Sequence, residues 1–239
     1  GTAEFDLFVK STRAEITVKA GQKCTAIRRI LVPEKYMEDV QIALGKQLAK
    51  TTIGDPSVEG VRMGPLASRT QVDRVRENVE LLMKEQEVVY GDMDNFDIVG
   101  GDKEKGAFFS PILFRNDAPF EKTRVHEIEA FGPVSTLMPY KDMDEAVRIA
   151  EMGKGSLVTS ITTANDELAK EFVLNTAHMH GRILVLNERC AKESTGHGSP
   201  LPLLSHGGPG RAGGGEEMGG VRGVKHYMQR TAIQGHPET

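Results

Sequence analysis

Apolar positions along the chain recur in runs whose spacing changes from helical to strand-like and back. Phe5, Val9, Thr12 and Ile16 stand three or four residues apart and make one face of a first helix. Gly21 suits the C-cap of that helix, and the branched run 27–32 then reads as a strand. Pro33 and Glu34 open a second helix with Tyr36, Val40, Leu44 and Leu48 on one face. After loop signals at Gly54-Asp55-Pro56 and Gly64-Pro65, Ser68 and Gln71 have the spacing of a capping box. A third helical stripe follows at Val72, Val75, Val79 and Leu82. Strands are predicted at 88–90, 108–114 and 134–139, a helix at 142–152, a strand at 156–162, a helix at 165–176 and a strand at 183–186. A closing strand is predicted within 224–233.

Helices alternating with short branched strands predict an α/β sandwich around a mostly parallel sheet, without internal repeats. The last quarter changes character: nine of the 26 glycines fall between Gly207 and Gly223, in a segment nearly devoid of apolar residues, so it reads as loop and not core. With 239 residues the chain fits one large domain, or one and a half smaller ones. Its 30 basic and 34 acidic residues give a formal charge of -4, which offers no basic stripe for nucleic acid and no membrane-binding face. No apolar run approaches the roughly 20 residues that cross a bilayer, and no charged-then-apolar leader opens the chain. Two cysteines are too few for a disulfide framework, so thiols in a reducing, cytoplasmic setting are expected. The sequence enters its first helix after only Gly1, Thr2 and Ala3, as an excised piece of a longer protein would.

Chemistry concentrates on Cys24. A lone cysteine is most often a buried, inert small hydrophobe, but this one lies at a junction between a predicted helix and a predicted strand, where a sulfur can face a cleft. The run Gly21-Gln22-Lys23-Cys24-Thr25-Ala26-Ile27-Arg28-Arg29 resembles the nucleophile motif of the NAD(P)-dependent aldehyde dehydrogenase superfamily, in which a Gly-Gln pair precedes the catalytic cysteine and Ala and Arg follow it. A second run, Glu129-Ala130-Phe131-Gly132-Pro133-Val134, is similar to that family's segment on the nicotinamide side of the cofactor. The resemblance implies that Glu129 binds ribose hydroxyls and that Phe131 packs near the nicotinamide. A carboxylate can accept from a diol, and an aromatic face can shelter a reacting ring. Gln71 and Arg74 fall where the family places a helix approaching the ribose, so Gln71 is a candidate cofactor contact as well as a capping residue. Gly155-Ser156-Leu157 and Val185-Leu186-Asn187 resemble backbone landmarks of the same family.

The tail contains Gly208-Pro209-Gly210-Arg211-Ala212-Gly213, a literal GxGxxG. It is not a dinucleotide fingerprint: no apolar strand enters it, no periodic helix leaves it, and Ile233 stands where an acidic residue is wanted. Gly207, Gly208, Gly213, Gly215 and Glu217 align instead with a glycine-rich segment of the family, with Glu216 and His206 as departures from it. The stretch between Asn187 and Gly207 is longer than the common family loop. That loop borders the substrate tunnel in the family, so Asn187 and His206 are assigned to the substrate loop and a larger or more polar substrate is implied. The tail is similar to that of dehydrogenase domains acting on CoA-linked semialdehydes made by aromatic ring cleavage, in the phenylacetate and benzoyl-CoA routes. In the phenylacetate case a MaoC-like hydratase domain follows.

The resemblance therefore implies the three-layer catalytic domain of the aldehyde dehydrogenase fold at 1–222, and a closing, oligomerisation strand and tail at 223–239. NAD or NADP is the implied cofactor, a CoA-linked aldehyde the substrate, and a homo-oligomer the full-length state. Cys24 would attack the aldehyde and pass through a thioester. The family's general-base glutamate lies in a Glu-Leu-Gly-Gly-Lys-type segment that these 239 residues do not contain, so the chain by itself is expected to fold without oxidising aldehydes. A silent assembly domain and a cysteine esterase are the alternatives. His178, His180, His197, His206 and Glu188 lack the spacing of a metal site, and Cys190 reads as a structural thiol.

Overall fold

The first apolar stripe folds as helix α1, Ala3–Thr17, burying Val9, Thr12 and Ile16. The computed structural model describes residues 1–199, 207–213, 224–225 and 227–238. These fall into two units, Val9–Asp142 and a second made of Gly1–Phe8 with Met143–Thr239.

In the unit Val9–Asp142 four strands pair in one sheet. Strand β1 (Arg29–Pro33) and β3 (Ile112–Arg115) both run parallel to β4 (Val134–Tyr140), and β2 (Glu87–Tyr90) is antiparallel to β3. The predicted strand at 108–114 forms only from Ile112, because Pro111 has no N–H to give the ladder. The Ile112 N–H bonds the Pro133 carbonyl at 2.9 Å and opens the parallel pairing with the strand that follows it. Helix α2 (Met37–Leu48) buries Met37, Val40, Leu44 and Leu48. Tyr36 lies in a 3-10 turn, Glu34–Tyr36, ahead of α2 and is 45% exposed, so Met37 takes the buried place expected for it. Helix α3 (Arg69–Met83) starts where Ser68 Oγ accepts from Gln71 N, and it buries Val72, Val75, Val79 and Leu82. Those four side chains join Ala20, Phe109, Ile112, Phe114 and Val134 in one core. A short helix α4, Arg124–Glu127, leads towards β4.

The second unit holds a three-stranded parallel sheet, β5 (Thr159–Thr162), β6 (Arg182–Leu186) and β7 (Ala232–Gln234), with β6 central. The predicted strand at 156–162 shrinks to β5 and one bridge between Ser156 and His180, where the Ser156 hydroxyl bonds the Val158 carbonyl. Helix α5 (Met143–Glu151) precedes β5. Helix α6 (Asp166–Thr176) is capped by Asn165, whose side chain accepts from Glu167 N and Leu168 N. Ala169 and Phe172 of α6 bury against Ile183 and Val185 of β6. The expected α/β class with mostly parallel pairing holds, with the strands shared between two sheets.

Candidate active site around Cys24

Between α1 and β1 the chain reverses in a left-handed turn. Lys19 (φ 53°), Ala20 (φ 51°) and Gly21 (φ 69°) are consecutive residues in the left-handed region. For the two non-glycine residues this costs about 1–2 kcal/mol each. Gly21 is therefore not the simple cap of α1, which ends at Thr17; it is the last residue of the reversal. Two contacts hold the strained path. Ala20 is buried at 3% exposure in the core. Gly21 lies so close to the 132–133 backbone that a Cβ on it would meet the Gly132 oxygen at 2.2 Å, and a Cβ on Gly132 would meet Val75 of α3 at 2.9 Å. Beyond Gly21 the Ala26 N–H bonds the Lys23 carbonyl at 3.1 Å, closing a turn in which Thr25 is buried at 4% and Cys24 is exposed.

Both ends of this turn are tied to the second run of predicted site residues. On the entry side, Gln22 Nε2 donates to the Phe131 carbonyl at 3.2 Å and to Gln71 Oε1 at 3.4 Å, while Gln22 Oε1 accepts from Ala67 N at 2.7 Å. On the exit side, Ser135 Oγ donates to the Ile27 carbonyl at 2.5 Å, Arg28 donates to the Ile128 carbonyl at 3.3 Å and Thr136 N donates to the Arg28 carbonyl at 2.9 Å. Arg29 lies 3.1 Å from Nδ1 of His126, whose Nε2 lies 2.8 Å from the Pro119 carbonyl. A guanidinium only donates, so Nδ1 is the acceptor and Nε2–H the donor. Burial, above all, pushes the His126 pKa below its ordinary value, and the nearby Arg29 and Arg28 charges add to this against the hydrogen bond to Pro119. Lys23 pairs with Glu15 of α1, both side chains being mostly buried.

The candidate cofactor residues lie along this frame. Glu129 is exposed, its backbone carbonyl accepting from Asn78 at 3.3 Å. Phe131 is 42% exposed with φ 54°, a conformation rare for a bulky residue, and buried Ala130 anchors the loop between the two. Gln71 gives α3 its capped N–H, but its side chain does not return to Ser68 as a full capping box requires; it meets Gln22. Cys24, Gln71, Glu129 and Phe131 thus share one hydrogen-bonded frame within the unit Val9–Asp142. Asn187 belongs to the other unit. It is 1% exposed at the end of β6, its Oδ1 accepting from Cys190 N at 3.2 Å. Cys190 is buried, and neither cysteine forms a disulfide. His178 is exposed, and buried His180 meets Ser156 Oγ at 2.6 Å. His206, Gly215, Glu216 and Glu217 lie outside the described residues. Among the described residues no three His, Cys, Asp or Glu side chains are grouped to hold a metal, and no helix is long and apolar enough to cross a membrane.

Residues 1–233 match the model of the aldehyde dehydrogenase family. The chain belongs to that family. Protein MaoC of Klebsiella aerogenes is 53% identical over 178 residues, 73% of this chain and 51% of that protein. The 3,4-dehydroadipyl-CoA semialdehyde dehydrogenase of Aromatoleum evansii is 43% identical over 209 residues, 87% of this chain and 41% of that protein. The chain thus spans about half the length of the curated relatives it matches. Among solved structures, betaine aldehyde dehydrogenase from Staphylococcus aureus in complex with NAD+ has a TM-score of 0.77 at 22% identity, covering 94% of this chain and 42% of that one. Succinic semialdehyde dehydrogenase from Streptococcus pyogenes in complex with NADP+ has a TM-score of 0.74 at 23% identity, covering 89% and 43%. At these identities the structures establish a common fold.

Within this aldehyde dehydrogenase domain, sequence reasoning missed what Gln22 and His126 do. Gln22 was legible only as a letter of the cysteine motif, since its partners Gln71 and Phe131 are 49 and 109 positions away. His126 has no sequence signal beyond standing three positions before the run that begins at Glu129.

Proposed function

We propose that the chain supplies the nucleophile-bearing part of an NAD(P)-dependent aldehyde dehydrogenase, one that oxidises a CoA-linked semialdehyde from aromatic ring cleavage to the carboxylic acid. The observation that carries this reading is the exposed Cys24 thiol on a turn that Gln22 joins to the Phe131 loop and to Gln71. As a thiolate, Cys24 adds to the aldehyde carbon; loss of hydride from the resulting thiohemiacetal leaves a thioester on the sulfur, and water releases the acid and restores the thiol. NAD(P), when bound, accepts that hydride. The residues present suit its nicotinamide end: Glu129 and Phe131 are both exposed on a loop anchored by buried Ala130, offering a carboxylate to ribose hydroxyls and a ring face to the nicotinamide. The Gln71 side chain lies at the same frame.

The substrate class is supported by the 43% identity to the dehydroadipyl-CoA semialdehyde dehydrogenase. Fusion to a MaoC-like hydratase domain fits the 53% identity to Protein MaoC. In this reading 1–222 is the catalytic domain, with Asn187 and His206 flanking the substrate loop. The tail 223–239 carries edge strand β7, whose 55% exposed Ile233 suits assembly into a homo-oligomer. A cytoplasmic setting suits two cysteines without a disulfide. In the full-length protein that carries this chain, Cys24→Ala should lower NAD(P)H formation from a CoA-linked semialdehyde by about 10⁴-fold or more. Iodoacetamide at neutral pH should alkylate Cys24 well before Cys190. Retained turnover in Cys24→Ala, or faster labelling of Cys190, would overturn the proposal.

A further inference from the structure

We infer that Gln22 is the positioning residue that sets the nucleotide-facing groups Gln71 and Phe131 against the cysteine turn; this rests on the function proposed above. Its amide is oriented by two backbone groups of opposite polarity: the Ala67 N–H requires the oxygen on one side, and the Phe131 carbonyl requires the nitrogen on the other. With Nε2 so directed, its second hydrogen reaches Gln71 Oε1 and turns the Gln71 amide with it. The same bond holds the carbonyl of Phe131 while that residue's φ of 54° turns its ring outward. One half-buried side chain therefore couples the Gly64–Ser68 loop, α3 and the 129–134 loop to the segment that bears Cys24.

The Cys24 turn does not depend on that amide. It is closed by backbone bonds, Gln22 N to Lys19 O, Lys23 N to Gly21 O and Ala26 N to Lys23 O, and by the close approach of Gly21 to Gly132. Loss of the Gln22 side chain should accordingly fall on nucleotide binding more than on the chemistry of the sulfur. Alanine removes all three bonds. Glutamate keeps the acceptor for Ala67 N, loses both donors and sets a carboxylate against the Phe131 carbonyl.

In the full-length protein, Gln22→Ala and Gln22→Glu should each raise KM for NAD(P)+ about tenfold, the scale of two lost hydrogen bonds, with kcat and the iodoacetamide rate of Cys24 held within about threefold. A KM within about twofold of wild type in both variants overturns the inference and leaves the proposed function standing. Parallel losses in KM, kcat and labelling, or failure of both variants to fold, make Gln22 a general structural residue and overturn it too. If only Gln22→Ala fails to fold, Gln22→Glu decides. A wild-type protein that shows no Cys24-dependent reduction of NAD(P)+ removes the proposed function and this inference together.

Discussion

His126 shows how a single side chain beside the segment that leaves Cys24 carries a pH dependence. Its Nδ1 accepts from Arg29 and its Nε2–H donates to Pro119, so a second proton would have to enter between the ring and a guanidinium. Burial is the main cause of its lowered pKa. The unfolded chain, with the ordinary histidine value of 6.5, then binds more protons than the folded one between the lowered pKa and 6.5. The stabilisation is fully present above that window and is lost as pH falls through it. Urea midpoints measured from pH 7.5 down to pH 5.5 should decline, and the decline should be shallower in His126→Gln, which has no imidazole to protonate. An unchanged slope in that variant would assign the decline to other groups.

At the scale of elements, the helices rest on caps whose worth can be read one at a time. Asn165 accepts from two N–H groups of α6, and Ser68 from one of α3. Asn165→Ala should destabilise the protein by about 1 kcal/mol, and Ser68→Ala by about the same or less, as shifts in urea midpoint at unchanged m-value. The Ser68 cap was readable in the sequence, as were the stripes of α1 and α3, because each depends on residues within one or two turns. Strand ends were less so: Pro111 delays β3, and the Ser156 hydroxyl curls the chain ahead of β5. The site divides in the same way. Cys24, Glu129 and Phe131 were legible as words of a motif. The frame that joins them was not, since the Gln22–Phe131 bond spans 109 positions and no local periodicity encodes it.

For the whole molecule the consequence of parallel pairing is kinetic. β1 pairs with β4 from Arg29↔Thr136 to Pro33↔Tyr140, so more than a hundred residues must be looped before their first bond forms. β6 likewise pairs with β7 across Arg182↔Ala232. Refolding from urea should take about a second or longer, against the micro- to millisecond range of helical bundles, when followed by stopped-flow circular dichroism. Complete recovery within milliseconds would contradict this topology. The meeting of Gly21 and Gly132 has an evolutionary consequence as well. A side chain on Gly21 would strike backbone and one on Gly132 would strike Val75, so neither position can trade volume with the other. Paired compensating changes, the signal from which co-variation methods infer proximity, are then closed to them, and among homologues this junction should show as two invariant columns with no statistical link.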